Sequence, residues 1–192
     1  MSIHIAQPGE EDGAGQELEL PQALPVLPLR ESVAFPETLT PLAIGQERSI
    51  KLVNDVLAGN RMLAMVASRD PEAENPGPDQ IYRVGVAGFV ARMLKVPDGT
   101  LRILVQGGRR VELTDFVATE PYMVARIDGR PDVVDPGTET ELEALARNVQ
   151  GTFSQIISEV PYLPEELQLA VTNLEEPAEL AHMIAGALRL ST

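Results

Sequence analysis

A chain of 192 residues with 44% apolar side chains can bury a substantial core, but only 4% of its residues are aromatic and none is Trp, so that core must be aliphatic. It has no cysteine, which excludes a disulfide framework and thiol chemistry and suits a reducing compartment. The formal net charge of −14 disfavours contact with phosphate backbones, so nucleic acid is not an expected partner.

Residues 1–20 hold five acids (Glu10, Glu11, Asp12, Glu17 and Glu19) and no base, and they read as a flexible acidic tail. The first residues show neither a basic stretch nor an apolar one of signal-peptide type, and no run of about 18 apolar residues follows. A cytoplasmic protein without a membrane partner is the expectation. Leu24-Pro25-Val26-Leu27-Pro28-Leu29 opens the folded part as a strand. Its two prolines cannot both donate to a sheet, which predicts an edge strand or one beside a bulge. Phe35-Pro36 and Thr40-Pro41 punctuate an extended loop that runs to Leu42-Ala43-Ile44. A helix is predicted over 46–58, with Ile50, Val53, Val56 and Leu57 on one face and Gly59 as the glycine that closes it. Met62 to Ala67 reads as a short buried strand, and residues 68–80, with three prolines, as a long polar loop.

The most definite pattern runs from Ile81 to Leu113. Val84, Val86 and Val90 alternate with Phe89, Ala91 and Met93, as in a strand inside a sheet. Val96-Pro97-Asp98-Gly99 supplies a fixed φ, a side chain that bonds its own backbone and a residue free to take positive φ. Leu101, Ile103, Val105, Val111 and Leu113 then continue as a second strand, making a long hairpin. Gly107-Gly108 marks a bulge or bend within it. Gly88 is expected to loosen the first strand. Tyr122 to Ile127 alternates once more.

After Asp128–Thr138, rich in Pro, Gly and Asp, every pattern is helical. Leu142, Leu145, Ala146, Val149, Phe153, Ile156, Ile157 and Val160 keep helical spacing over five turns. A second helix is predicted from Pro164-Glu165-Glu166 to about Thr172, and a third from Pro177, with Leu180, Ile184, Ala187 and Leu188 on one face. The charge divides in the same way. Residues 21–130 carry 13 acids and 13 bases, whereas 131–192 carry 11 acids against Arg147 and Arg189. A β-rich part over 21–130 and a helical part over 138–192 follow.

Catalytic chemistry is hard to find. His4 and His182 are the only histidines, and without cysteine they cannot assemble a tetrahedral zinc site. His182 reads as a helix-surface residue. Ser49 and Lys51, two apart on a helix, face different ways, so they do not form a nucleophile–base pair. Gly85 and Gly88 lie within a strand rather than a phosphate-cradling loop. Glu165-Glu166 and Glu175-Glu176 sit at helix starts, where acids meet the positive end of the helix dipole. Arg109-Arg110 is expected to make contacts within the fold. The residues read as a binding module with no catalytic site, cofactor or metal.

Leu24 to Arg30, Phe35-Pro36, Pro41-Leu42 and Gly45-Gln46-Glu47-Arg48-Ser49-Ile50 resemble the start of the Lon protease N-terminal (substrate-binding) domain family. The resemblance continues through Tyr82 to Gly85, Leu94 to Thr100, Leu104 to Gly107 and Glu176 to Ala181, so that it covers about 21–190 in the family's order. It implies an α+β fold: a PUA-like β pseudobarrel followed by an α-helical bundle. It also implies recognition of unfolded or degron-bearing polypeptides and a role in assembling an ATP-dependent serine protease, with homo-oligomers, ATPase and protease modules and damaged proteins as partners. A stand-alone Lon-domain protein acting as an adaptor or chaperone-like module is the alternative. An RNA or small-ligand binder of PUA-like type is disfavoured by the acidic balance. Phe35, Leu39, Met93 and Leu94 are the expected polypeptide-binding residues. The first two belong to a loop too broken by proline to bury them in regular structure. The other two lie near the hairpin's end, where Met suits varied partners.

Overall fold

The computed structural model describes residues 20–160, 163 and 166–188. Residues 1–19 of the expected tail, with His4, lie outside the described residues, as do Pro164 and Glu165 at the expected start of the second helix. The elements are β1 (Ala23–Leu29), β2 (Leu39–Ile44), α1 (Glu47–Ala58), β3 (Met62–Ser68), a short 3-10 turn, β4 (Ile81–Lys95), β5 (Leu101–Ala118), β6 (Val124–Gly129), α2 (Glu139–Glu159), α3 (Glu166–Asn173) and α4 (Pro177–Ala187). The six strands among the described residues join one sheet in the order β2-β5-β4-β3-β1-β6, and a further β5–β6 pairing closes it on itself. β2 adds only to the first half of β5, from Leu101 to Gln106, and its other edge is unpaired among the described residues.

The β4–β5 hairpin forms as its turn chemistry demands. Asp98 Oδ1 accepts from the Thr100 amide at 2.9 Å and the Thr100 hydroxyl at 2.7 Å, and Gly99 takes φ +88°. Those hydrogen bonds, the hydroxyl's first, hold the Asp98 carboxyl below its ordinary range. Two bulges bend the hairpin. One lies in β5, where Val86↔Arg110 and Gly88↔Gly107 leave an extra residue after Gly107-Gly108, as expected. The other lies in β4 at Ala91, between the pairs Val90↔Val105 and Arg92↔Leu104. A one-residue slip turns every later side chain over. Met93 therefore pairs with the buried Ile103 on the Val90 side of the sheet, not on the Phe89 side that simple alternation predicts.

Other expectations need correcting. β1 is not an edge strand, since it lies between β3 and β6. It tolerates Pro25 and Pro28 because it changes neighbours: Ala23–Pro25 pair with β6, and Val26–Leu29 pair with β3. Most of its length is laddered on one side only, which leaves room for a missing N–H. Gly59 does not close α1 in a left-handed conformation, for its φ is −109°. The turn back into β3 is made by Arg61, at φ +63°, whose amide reaches the Val56 carbonyl at 3.0 Å. Gly88 does not loosen β4. A Cβ there would meet Val105 Cγ1 at 2.8 Å, so the glycine lets two strands and their side chains close up.

The core has three parts. One face of the sheet packs on α1, with Leu27, Leu63, Val90 and Val105 against Leu52, Val53 and Val56. A second cluster, with Leu24, Val26, Val66, Val111 and Ala125, fills the space between β1, β3, β5 and β6. The third joins the helices around Phe153, 1% exposed, with Ile157, Leu163, Val171 and Leu180. The apolar stripe of α2 is longer than its partners cover, and Leu145 in its first half and Val149 at its middle are exposed.

Candidate functional site

Between the β1–β2 connection and the helices lies a groove of about 1000 Å³. One wall is built by the proline-broken segment. Thr38 hydroxyl donates to the Phe35 carbonyl at 2.8 Å, Glu37 adopts φ +56°, and the turn leads directly into β2. Phe35, Leu39 and Pro41 face the groove from this side. The other wall is the helical cluster's outer layer: Leu163, Leu167, Ala170, Leu174 and Met183. Glu31, Glu37, Glu166 and Glu179 supply acids to the lining, which among the described residues includes no Lys or Arg. Gly186 faces Thr38 of the opposite wall, and a Cβ added at Gly186 would lie 3.4 Å from Thr38 Cγ2.

The four residues named from the sequence do not share one surface. Phe35 and Leu39 line the groove, with Leu39 56% exposed. Met93 and Leu94, 41% and 67% exposed, belong to the projecting end of the hairpin, outside the groove lining. The register relates them. Leu39 and Leu94 lie on one sheet face, through Leu39↔Gln106 and Ala43↔Arg102↔Leu94, and Met93 lies on the other. Sequence reasoning missed the helical wall. Leu167 and Met183 look like ordinary core positions on their helices and Leu174 like one just past a helix end, and no local signal distinguishes a half-covered face.

A polar cluster fastens α4 to the sheet beside this groove. Arg110 on β5 donates through Nη1 to Asp132 Oδ1 at 2.6 Å, and its Nη2 lies 2.7 Å from His182 Nε2. Asp132 Oδ2 is 3.7 Å from the same imidazole nitrogen. His182 is thus a buried junction, 7% exposed, and not the surface residue expected from its helix. A guanidinium only donates, so Nε2 must accept, and the imidazole is neutral with its proton on Nδ1. Burial, foremost, holds its pKa below the ordinary 6.5; Arg110 adds to the effect, against Asp132, Glu37 and Glu179. The expected internal role of Arg110 is met by this cluster.

Among the described residues no group of three or more His, Asp or Glu is placed to hold a metal ion, and no helix is long and apolar enough to cross a membrane. A closed mixed sheet followed by a helical cluster, with an apolar groove between them, is the frame of a binding module. The family model described as "ATP-dependent protease La (LON) substrate-binding domain" matches residues 23–192, and the chain belongs to that family. It is 42% identical over 176 residues to a Lon protease of Dictyoglomus thermophilum, covering 92% of this chain and 22% of the relative. It is 36% identical over 193 residues to a Lon protease of Flavobacterium johnsoniae, covering 98% of this chain and 23% of the relative. The chain therefore spans less than a quarter of the length of these relatives. In fold it is similar to the "N terminal domain of Mycobacterium avium complex Lon protease", with a TM-score of 0.69 at 17% identity, covering 86% of this chain and 82% of that one.

Proposed function

We propose that this chain is the polypeptide-recognition and assembly part of a cytoplasmic, ATP-dependent Lon-type serine protease, and that it holds unfolded or degron-bearing segments for the modules that act on them. In this reading residues 21–130 and 138–192 are its two working units, the closed sheet is a PUA-like pseudobarrel, and copies of the chain associate as the protease assembles. The observation that carries the reading is the groove between β2 and the helices, which leaves Leu39 exposed beside Leu167, Leu174 and Met183. A folded neighbour presents few such side chains, whereas an unfolded segment presents many, and exposed apolar surface of this kind marks interaction sites. Phe35 and Leu39 act at the groove's mouth, and Met93 and Leu94 form a second apolar hold on the hairpin.

The test is fluorescence anisotropy with a permanently unfolded, alkylated and labelled polypeptide. Phe35→Ser with Leu39→Ser is expected to weaken binding roughly tenfold, equivalent to about 1.4 kcal/mol. Met93→Ser with Leu94→Ser is expected to weaken it less, both pairs keeping the parent's circular dichroism and melting curve. Unaltered binding by both folded variants would remove the assignment.

A further inference from the structure

We infer that Arg110, His182 and Asp132 form a proton-sensitive latch, which holds α4 against β5 while His182 is neutral and lets the groove widen when it is protonated. The inference rests on the cluster's geometry and is independent of what fills the groove.

Three elements meet at this imidazole: α4 carries it, β5 brings Arg110, and the connection between β6 and α2 brings Asp132. Among the described residues, the charged groups that bear on the ring are Arg110, Asp132, Glu37 of the β1–β2 connection and Glu179 on α4 itself. In the closed arrangement Arg110 bridges Asp132 Oδ1 and His182 Nε2. Protonation puts a hydrogen on Nε2, the atom that accepts from Arg110. Two cations then face each other at a 2.7 Å contact, and Asp132 Oδ2, an acceptor for the new N–H, is 3.7 Å away. A protonated Nε2 can no longer accept from Arg110, and the two cations repel across that contact, so the direct Arg110–His182 tie between β5 and α4 is lost even where Asp132 keeps an oxygen for each.

The groove feels this directly because α4 also carries Met183 and Gly186. Met183 is next to His182 in sequence, and Gly186, one turn on, faces Thr38 of the opposite wall, where an added Cβ would lie 3.4 Å from Thr38 Cγ2. The sign follows from the neutral acceptor. The latch is fully closed above the imidazole's ordinary 6.5, weakens as pH falls below it, and is open once the buried ring itself is protonated.

The absence of cysteine makes the test clean, since two introduced cysteines are the only labelling sites. Spin labels at the exposed positions Ala181→Cys on α4 and Arg102→Cys on β5 report the separation of α4 from β5. Between about pH 8 and about pH 5 the parent's distance distribution is expected to shift to longer distances while its helical circular dichroism is retained. In His182→Gln, whose amide oxygen still accepts from Arg110 and does not titrate, it should stay at the short distance throughout. Imidazole nitrogen shifts, assigned by their loss in His182→Gln, should show the Nδ1–H tautomer at high pH. An unmoved distribution in the parent, an equal shift in His182→Gln, or a shift that appears only with loss of circular dichroism in both proteins would each overturn the latch.

Discussion

At Gly85 a Cβ would lie 2.2 Å from the Met65 carbonyl oxygen, and at Gly107 2.4 Å from that of Phe35. Both obstacles are backbone, which cannot swing aside. Gly85→Ala is expected to destabilise the protein by about 3 kcal/mol, the upper end of the usual overpacking cost, measurable by urea denaturation. Gly107 matters in a second way, because its amide donates to the Thr38 carbonyl at 2.8 Å and sets the groove's sheet-side wall. Phe153→Ala tests the opposite error, an emptied core. With Phe153 at 1% exposure among four other buried residues, a loss of about 3–5 kcal/mol is expected from chemical denaturation. Phe153 could be read from helical spacing alone, as the one Phe beyond residue 130. The two glycines could not, because what crowds them comes from β3 and from the β1–β2 connection, remote in sequence.

Among the elements, the hairpin was the most legible because its instructions are local: β-branched runs, and Pro97-Asp98-Gly99 between them. Its second bulge was not. Nothing around Ala91 marks it, and it turns Met93 to the opposite sheet face from the one that alternation assigns. β1 misled for a related reason, since proline constrains only the side of a strand that is paired, and pairing is a property of its neighbours. Asp98→Ala should test the turn itself. It removes both bonds to Thr100, and amide hydrogen exchange at the hairpin's end is expected to speed up while the core amides of β3 are unchanged. The Asp98 carboxyl is held below its ordinary range, so this contribution is present above pH 3.8 and lost as pH falls further.

For the molecule as a whole, the order of a strand-rich part and a helical part was legible in the pattern change near Asp128. The groove between them and the junction at His182 were not. His182 and Arg110 are 72 residues apart, and each looks ordinary within its own element. Their junction has a consequence for overall stability. A neutral, buried imidazole means that the unfolded chain takes up more protons below its ordinary 6.5, so stability should fall as pH drops through that value. In His182→Gln that part of the pH dependence is expected to vanish from thermal melts. The neighbour switch in β1 has a further outcome, in time rather than in space. Val26–Leu29 find β3 soon after synthesis, but Ala23–Pro25 must wait for Val124–Arg126, roughly a hundred residues later. At ribosomal rates that is roughly 5–20 s. During it the sheet stays open, with the β6 side of β1 unclaimed and, once β5 is made, that of β5 as well, so a nascent chain halted before Val124 should be captured by chaperones far more readily than one halted just after Gly129.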